Sequence, residues 1–535
     1  MRISDQLLGK LNHRRIAWQN WRHISALTAQ VKAHAAPVED RRPVVFFNAS
    51  TRIEDLSLNA AFNLLASKAL ELQGVPVVHF VCQGGMKPCV LGTHANDPQH
   101  EPPCQRCIHT SHRMYAGTDV RWFGWQPEPD LEAKLAGLGI EALAGFTYQG
   151  IALGALTLPS LRWILRRHHL IDDENTRLLH SQYILSAWNL AREFNRFLDE
   201  AEPRSVVVFN GISYSEAVVK TLAKQRKLKV FTHEVALRPF TAFFTDGEAT
   251  AYPINIPQDF RMNPDQDQRL DEYLQQRFKG NFSMAGIQFW PEMKPLDPEF
   301  LEKAKTFQQI VPVFTNVIFD TSQAYANTLF LHMFAWLDAV LELARAHPET
   351  LFVLRAHPDE ERPGKEARES VAGWVRESRA TDLPNLVFVG SSEYLSSYEL
   401  IQRSKFVMVY NSTIGMEATL LGAAVLCAGR ARYTQIPTVF FPPDRKEYDR
   451  LVEEMLNADT IEVPEVFRQN ARRFLYYQLY RSSLPFNDMV ENEGLRRGYV
   501  KMKRLSWQKL LPENSDAIKA ILDGILCGGN FLLEE

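Results

Sequence analysis

Residues 411–417 read Asn-Ser-Thr-Ile-Gly-Met-Glu, an order of types suited to holding a phosphate group. Asn411, Ser412 and Thr413 form a short polar turn after the apolar run Phe406–Tyr410, and a helical pattern starts near Ile414 with Glu417 in its first turn. The first amides of a helix have no intrahelical acceptor, and the helix dipole is positive there, so such a turn favours an anion. The same residues also suit a plain helix cap. A second group lies upstream. The apolar run Leu351–Leu354 is followed by Arg355, Ala356, His357, Pro358, Asp359 and Glu360. Pro358 restricts His357 to extended backbone, which places the imidazole at a strand's end beside a cationic Arg355. Two neighbouring strand ends of this kind are expected to clamp a diphosphate or nucleotide beyond the carboxyl edge of a parallel sheet. Asn316 and Asp320 close another strand, Ile310–Phe314, and are expected to line the same site. A second His-Pro pair, His347-Pro348, falls in a connecting loop and reads as structural.

Four of the six cysteines, Cys82, Cys89, Cys104 and Cys107, fall in one stretch with the spacing C-x6-C-x14-C-x2-C. Four thiolates at this density suit a structural zinc ion, and the C-x2-C half matches zinc-ribbon spacing. The C-x6-C half does not, so reduced packing or loop cysteines are the competing reading. Cys427 and Cys527 sit in apolar surroundings and read as small hydrophobes.

These residues need a scaffold of strand–turn–helix units. Residues 1–42 read as a basic, Trp-containing helical segment that either packs on the protein or lies on an anionic membrane surface. Val44–Asn48, Val77–Val81, Ser205–Phe209 and Lys229–Thr232 are predicted strands of a first α/β domain, 43–285, interrupted by a Cys-rich and helical insertion, 82–202. A second basic, aromatic patch, Trp163–His169, lies in that insertion, and residues 250–300 read as irregular and polar. A second α/β domain, 286–510, carries the 351–360 and 406–429 groups, and 511–535 ends in a short helix.

The 535 residues provide ample core for two or three domains. Sixty basic against 63 acidic side chains argue against general nucleic-acid binding. No apolar run reaches the length of a membrane span, and the N-terminus lacks a signal-peptide core, so a cytoplasmic location is expected.

The combination Leu-Arg-Ala-His-Pro-Asp-Glu at 354–360, Tyr-Asn-Ser-Thr-Ile-Gly-Met-Glu-Ala-Thr-Leu-Leu-Gly at 410–422 and Cys-Ala-Gly-Arg-Ala-Arg-Tyr at 427–433 resembles the bacterial capsule polysaccharide biosynthesis proteins. The His-Pro and Ser-Thr pairs are also similar to those of bacterial Kdo- and sialyltransferases. The resemblance covers about 300–480 and implies a GT-B glycosyltransferase, with two Rossmann-like, doubly wound α/β domains facing across a cleft. It implies that Arg355, His357, Asn411, Ser412, Thr413, Gly415, Glu417, Asn316 and Arg432 bind a nucleotide-sugar donor, with Glu417 near the ribose and Arg432 offsetting leaving-group charge. The acceptor would be a growing glycan or a lipid-linked glycan, with peripheral contact at the inner membrane face. No cofactor or metal ion would be required for catalysis. The Asp265-Gln266-Asp267 pair reads as surface, since it lies away from any strand end. An inverting path needs a base to deprotonate the acceptor. Glu54, Asp55, His233 and Glu234 are the candidates, Glu234 and Asp55 the preferred ones, and Asp246 a weaker one inside a turn. A sugar-nucleotide epimerase and a non-catalytic assembly protein binding nucleotide sugar or polysaccharide are the alternatives.

Overall fold

The computed structural model describes residues 3–279, 294–393 and 395–535. The chain forms two compact units. Unit 1 comprises Met1–Ile164, Leu170–Tyr252 and Gln478–Glu535; unit 2 comprises Leu165–His169 and Pro253–Tyr477.

Unit 1 is built on β1 (Val44–Phe47), β2 (Val77–Cys82), β3 (Asp119–Phe123), β4 (Ser205–Phe209), β5 (Lys229–Val235) and β6 (Thr241–Thr245). Their spatial order is β3-β2-β1-β4-β5-β6, parallel except where β5 meets β6. This is the Rossmann order, in which the direction of winding reverses between β1 and β4. β1 is apolar at every position because both faces are covered. Phe46 packs in one core with the helix Leu58–Leu72, while on the other face Phe80 of β2 meets Phe194 and Phe197 of the helix Glu174–Ala201. The helix Ile3–His34 buries Ile24, Leu27 and Val31 in the first of these cores.

Unit 2 repeats the plan with β7 (Gln309–Phe314), β8 (Thr350–Arg355), β9 (Leu386–Val389), β10 (Val407–Val409) and β11 (Val425–Cys427). All are parallel, in the order β9-β8-β7-β10-β11, so winding reverses between β7 and β10. The chain then returns to unit 1. Its β12 (Leu484–Pro485) pairs antiparallel with β6, making that sheet seven-stranded. A hairpin of 490–492 with 500–502 follows, and Asn20 of the first helix bonds to both Val500 and Met502 of it. Ile518 and Ile521 of the helix Asp516–Leu522 complete the unit 1 core.

The α/β class and the two Rossmann-like sheets agree with expectation; several boundaries do not. The expected division at 285/286 lies outside the described residues, and the two units part at Tyr252/Pro253. Residues 478–510 belong to unit 1, because β12 and the hairpin find their partners there. The insertion 82–202 contains β3, an edge strand of the sheet, so it is not all excursion. Within 250–300, the helix Pro264–Phe278 replaces the expected irregular chain; Asn263 caps it in a reciprocal bond with Gln266. Asp265 and Asp267 lie in its first turn, and Asp267 pairs with Arg472.

Candidate functional site

In a Rossmann sheet, ligands bind beyond the carboxyl ends of the strands where the winding reverses. In unit 2 that point lies between β7 and β10, and their exit loops meet there. Asn316, two residues after β7, donates from Nδ2 to Asn411 Oδ1 at 2.8 Å, and Gln323 Nε2 donates to the same oxygen at 3.2 Å. Asn411 and Ser412 are buried, and Thr413 is half-buried at the start of the helix Ile414–Leu420. The Ser412 and Thr413 side chains make no hydrogen bond among the described residues, and Thr413 does not cap the helix through its hydroxyl. That helix has only seven residues, so its dipole is weaker than the sequence pattern suggested. Gly415 is fixed by packing: a Cβ there would lie 2.3 Å from the Tyr433 hydroxyl, which donates to the Ser412 carbonyl at 2.7 Å.

His357 and Arg355 leave β8, which is separated from β10 by β7. The expectation of neighbouring strand ends is therefore corrected. Two strand spacings, roughly 10 Å, suit a nucleoside diphosphate better than one phosphate. His357 is extended, as Pro358 requires, and its Nδ1 accepts from the Asp359 amide at 3.1 Å. Burial lowers its pKa, against the pull of Asp359 and Asp320, so Asp320 of the β7 exit loop stands within electrostatic reach of it. Arg355 is buried, donates to the Glu393 carbonyl at 3.0 Å, and is pushed down to about 10 by burial. His347 lies in hydrogen-bond contact with Glu349 and Glu453, at the entry to β8 and not its exit, as its loop position suggested.

Two cations here were not singled out from sequence. Burial lowers the pKa of Lys365, and Arg362 and Arg166 lower it further, while Asp359 and Asp320 oppose this. Lys365 and His357 thus share Asp359 and Asp320 as electrostatic neighbours. Arg166 arrives on the strap Leu165–His169: its carbonyl accepts from the Arg368 amide at 2.9 Å, while Glu369 accepts from the amides of His168 and His169. The only sequence signal was the basic patch at 163–169, which gave no sign of its destination.

Glu417 was expected beside a ribose. Both its oxygens are instead engaged inside unit 2, one by Arg277 at 2.5 Å and the other by the Tyr398 hydroxyl at 2.5 Å, with Glu417 itself 3 % exposed. Arg432 is half-buried in the one-turn helix Arg432–Gln435 after β11.

Residues 299–437 match the family model of capsule polysaccharide biosynthesis proteins. The match takes in β7 through β11, and with them Asn316, His357 and the Asn411–Thr413 turn. No curated protein sequence matches the chain. Among solved structures, the chain is similar to the KpsC beta Kdo 2,4 transferase of Thermosulfurimonas dismutans, at 12% identity and a TM-score of 0.35, covering 58% of this chain and 87% of that one. The beta Kdo 2,7 transferase of the same KpsC gives 13% identity and 0.32, covering 59% and 86%. A UDP-GlcNAc 2-epimerase of Neisseria meningitidis bound to UDP-GlcNAc gives 12% and 0.23, covering 82% and 98%.

The matched residues lie wholly in unit 2, and the expected base residues lie in unit 1. There Glu216, fully buried, pins the loop after β1: it accepts from the amides of Ala49 and Ser50 at 3.1 and 2.9 Å and from the Ser50 hydroxyl at 2.8 Å. Across the β1–β4 reversal, Glu234 of β5 accepts from Asn59 at 3.2 Å and from Asn210 at 3.3 Å. Asn210 follows β4 in the left-handed region, φ 57°. Glu234, Asn210 and Asn59 thus gather at the carboxyl edge of this sheet.

The other three candidates are not so placed. Asp55 is 3 % exposed and its Oδ2 pairs with both His13 and Arg496 at 2.5 Å. Burial raises its pKa, against the pull of His13 and Arg496. Glu54 pairs with Arg106 at 2.9 Å. His233 lies within β5, not after it, because β6 extends the pairing to Val235. Its ring is fully buried and stacks on Phe244, so it is no base for a substrate.

Burial holds His233 down to about 3 and His180 down to about 4, and puts His79 well below its ordinary value. Each is neutral in the fold and protonates once unfolded, so the unfolded chain binds more protons below about pH 6.5. The His233 contribution is intact above that pH and lost as pH falls towards about 3, on the order of 5 kcal/mol in all. His233→Phe is expected to remove about one proton from the uptake that accompanies unfolding near pH 5, read from the pH dependence of urea unfolding. An unchanged acid limb contradicts the burial argument.

Proposed function

We propose that the chain is a glycosyltransferase that moves a sugar from a nucleotide-sugar donor to a growing surface glycan or its lipid-linked form. The observation that carries this reading is the Asn316–Asn411 bond, which joins the two loops of the β7–β10 reversal within the residues that match the capsule family model. In this reading the donor's phosphates span the ends of β8, β7 and β10. The amides opening the helix Ile414–Leu420, with Arg166, Arg355 and Lys365, offset charge developing on the leaving phosphate. Such stabilisation requires no metal ion. Glu234 takes the proton of the acceptor hydroxyl, and Asn59 and Asn210 orient its carboxylate. No described helix is long and apolar enough to cross a membrane; a lipid-linked acceptor would be met at the membrane surface.

A thermal-shift panel of nucleotides and nucleotide sugars tests the donor site. One nucleotide class is expected to stabilise the chain by about 2.7 kcal/mol at a hundredfold excess over its Kd. Asn411→Ala is expected to abolish that shift. A panel without a selective ligand, or unchanged binding by the variant, removes the reading.

A further inference from the structure

The four cysteines of the 82–107 stretch, scattered in sequence, converge on one pocket of unit 1. Cys82 ends β2, Cys89 precedes the single turn Val90–Gly92, and Cys104 and Cys107 open the helix Cys104–Met114. A spacing of three sets the last two on one helix face. All four line the same pocket, together with Met86 and Ile108, and all four are free thiols.

Two further features separate this group from cysteines that merely pack. The Gly92 amide donates to Cys89 Sγ at 3.2 Å. Amide donors aimed at sulfur serve a thiolate or a metal-bound sulfur, which a neutral packing thiol does not need. Glycine is required where the loop wraps them: a Cβ on Gly85 would lie 2.3 Å from the Phe123 ring, and one on Gly92 would lie 2.7 Å from Pro102. Arg52, itself buried, lines the same pocket, so positive charge lies beside the sulfurs.

Among the described residues, no three His, Cys, Asp or Glu side chains are placed to hold one metal ion. A lone zinc ion draws its four sulfurs to about 2.3 Å from one centre. Four thiols set around an open space suit a larger inorganic core. We propose that Cys82, Cys89, Cys104 and Cys107 ligate an iron–sulfur cluster of the four-iron type, held by four thiolates. Through Arg52, the cluster would brace the loop after β1, which also carries the Glu216-held amides. Its role there is structural, and no electron transfer is implied.

The test is purification of the full chain without a His-tag under anaerobic conditions. About four iron and four acid-labile sulfide per chain are expected, with visible absorption bleached by dithionite. Cys104→Ser and Cys107→Ser, which change side chains only partly buried, are expected to lose the iron, and Cys527→Ser, at an exposed position, to keep it. Should the variants fail to fold, X-ray absorption of the unsubstituted chain decides, since only a cluster gives iron–iron scattering. One zinc per chain overturns the cluster; absence of any metal, or iron retained by both variants, overturns the site. None of these outcomes depends on glycosyl transfer.

Discussion

Glu234→Gln is expected to lower glycosyl transfer by about two to four orders of magnitude while leaving the thermal shift given by the donor unchanged. Glutamine preserves the size of the side chain and an oxygen for Asn59 or Asn210, so the loss would report the missing base and not a collapsed loop. Two controls sharpen the result. Asp55→Asn removes a carboxylate already committed to His13 and Arg496, and is expected to act on stability. His233→Phe changes a core ring and is expected to leave turnover near normal. Measured side by side with one donor and acceptor, the three variants separate chemistry from folding. Turnover of Glu234→Gln within about threefold of the parent would exclude it as the base, since general-base loss costs far more.

The second large effect concerns the buried pair of Arg277 and Glu417. Glu417→Ala would strand a guanidinium that is 6 % exposed and leave the Tyr398 hydroxyl without its acceptor. Burial alone would lower the pKa of Arg277; Glu417 reverses that and raises it. Removing one member of such a pair costs about 3–5 kcal/mol. Unfolding of unit 2 is therefore expected to shift to clearly lower urea in the absence of any ligand. A ribose contact predicts the opposite pattern, with unchanged stability of the free protein and weaker donor binding alone. The two roles are thus distinguished in one titration.

Much of the fold was legible because strands covered on both faces are apolar at every position. β1 and β10 announce themselves in this way, β7 and β8 by their apolar middles, Ile310–Phe314 and Leu351–Leu354, and so does the loop chemistry that follows them. What escaped has specific causes. β3 lies at the sheet edge and is half-exposed, so Asp119-Val120-Arg121-Trp122-Phe123 lacks a clean apolar signature. β12 is two residues long, and its partner is more than two hundred residues distant in sequence. The exit from β5 was misjudged because pairing with β6 carries the strand three residues further. That extension turns His233 into the core with Phe231, by the two-residue alternation of a strand, and leaves Glu234 on the other face. Side-chain pairing was the other blind spot. Nothing local in Met-Glu-Ala-Thr indicates that Glu417 answers an arginine 140 positions earlier. The spacing of the four cysteines was plain, but their convergence depends on where β2 and the helix Cys104–Met114 end.

The return of residues 478–535 to the first sheet bears on how the protein is made. A ribosome releases the partner of β6 only after all of 253–477 has emerged, so the earlier unit waits with an uncovered edge while the later one can already close. Nascent chains halted near residue 477 should therefore lean on chaperones through their first half, although that half was synthesised first.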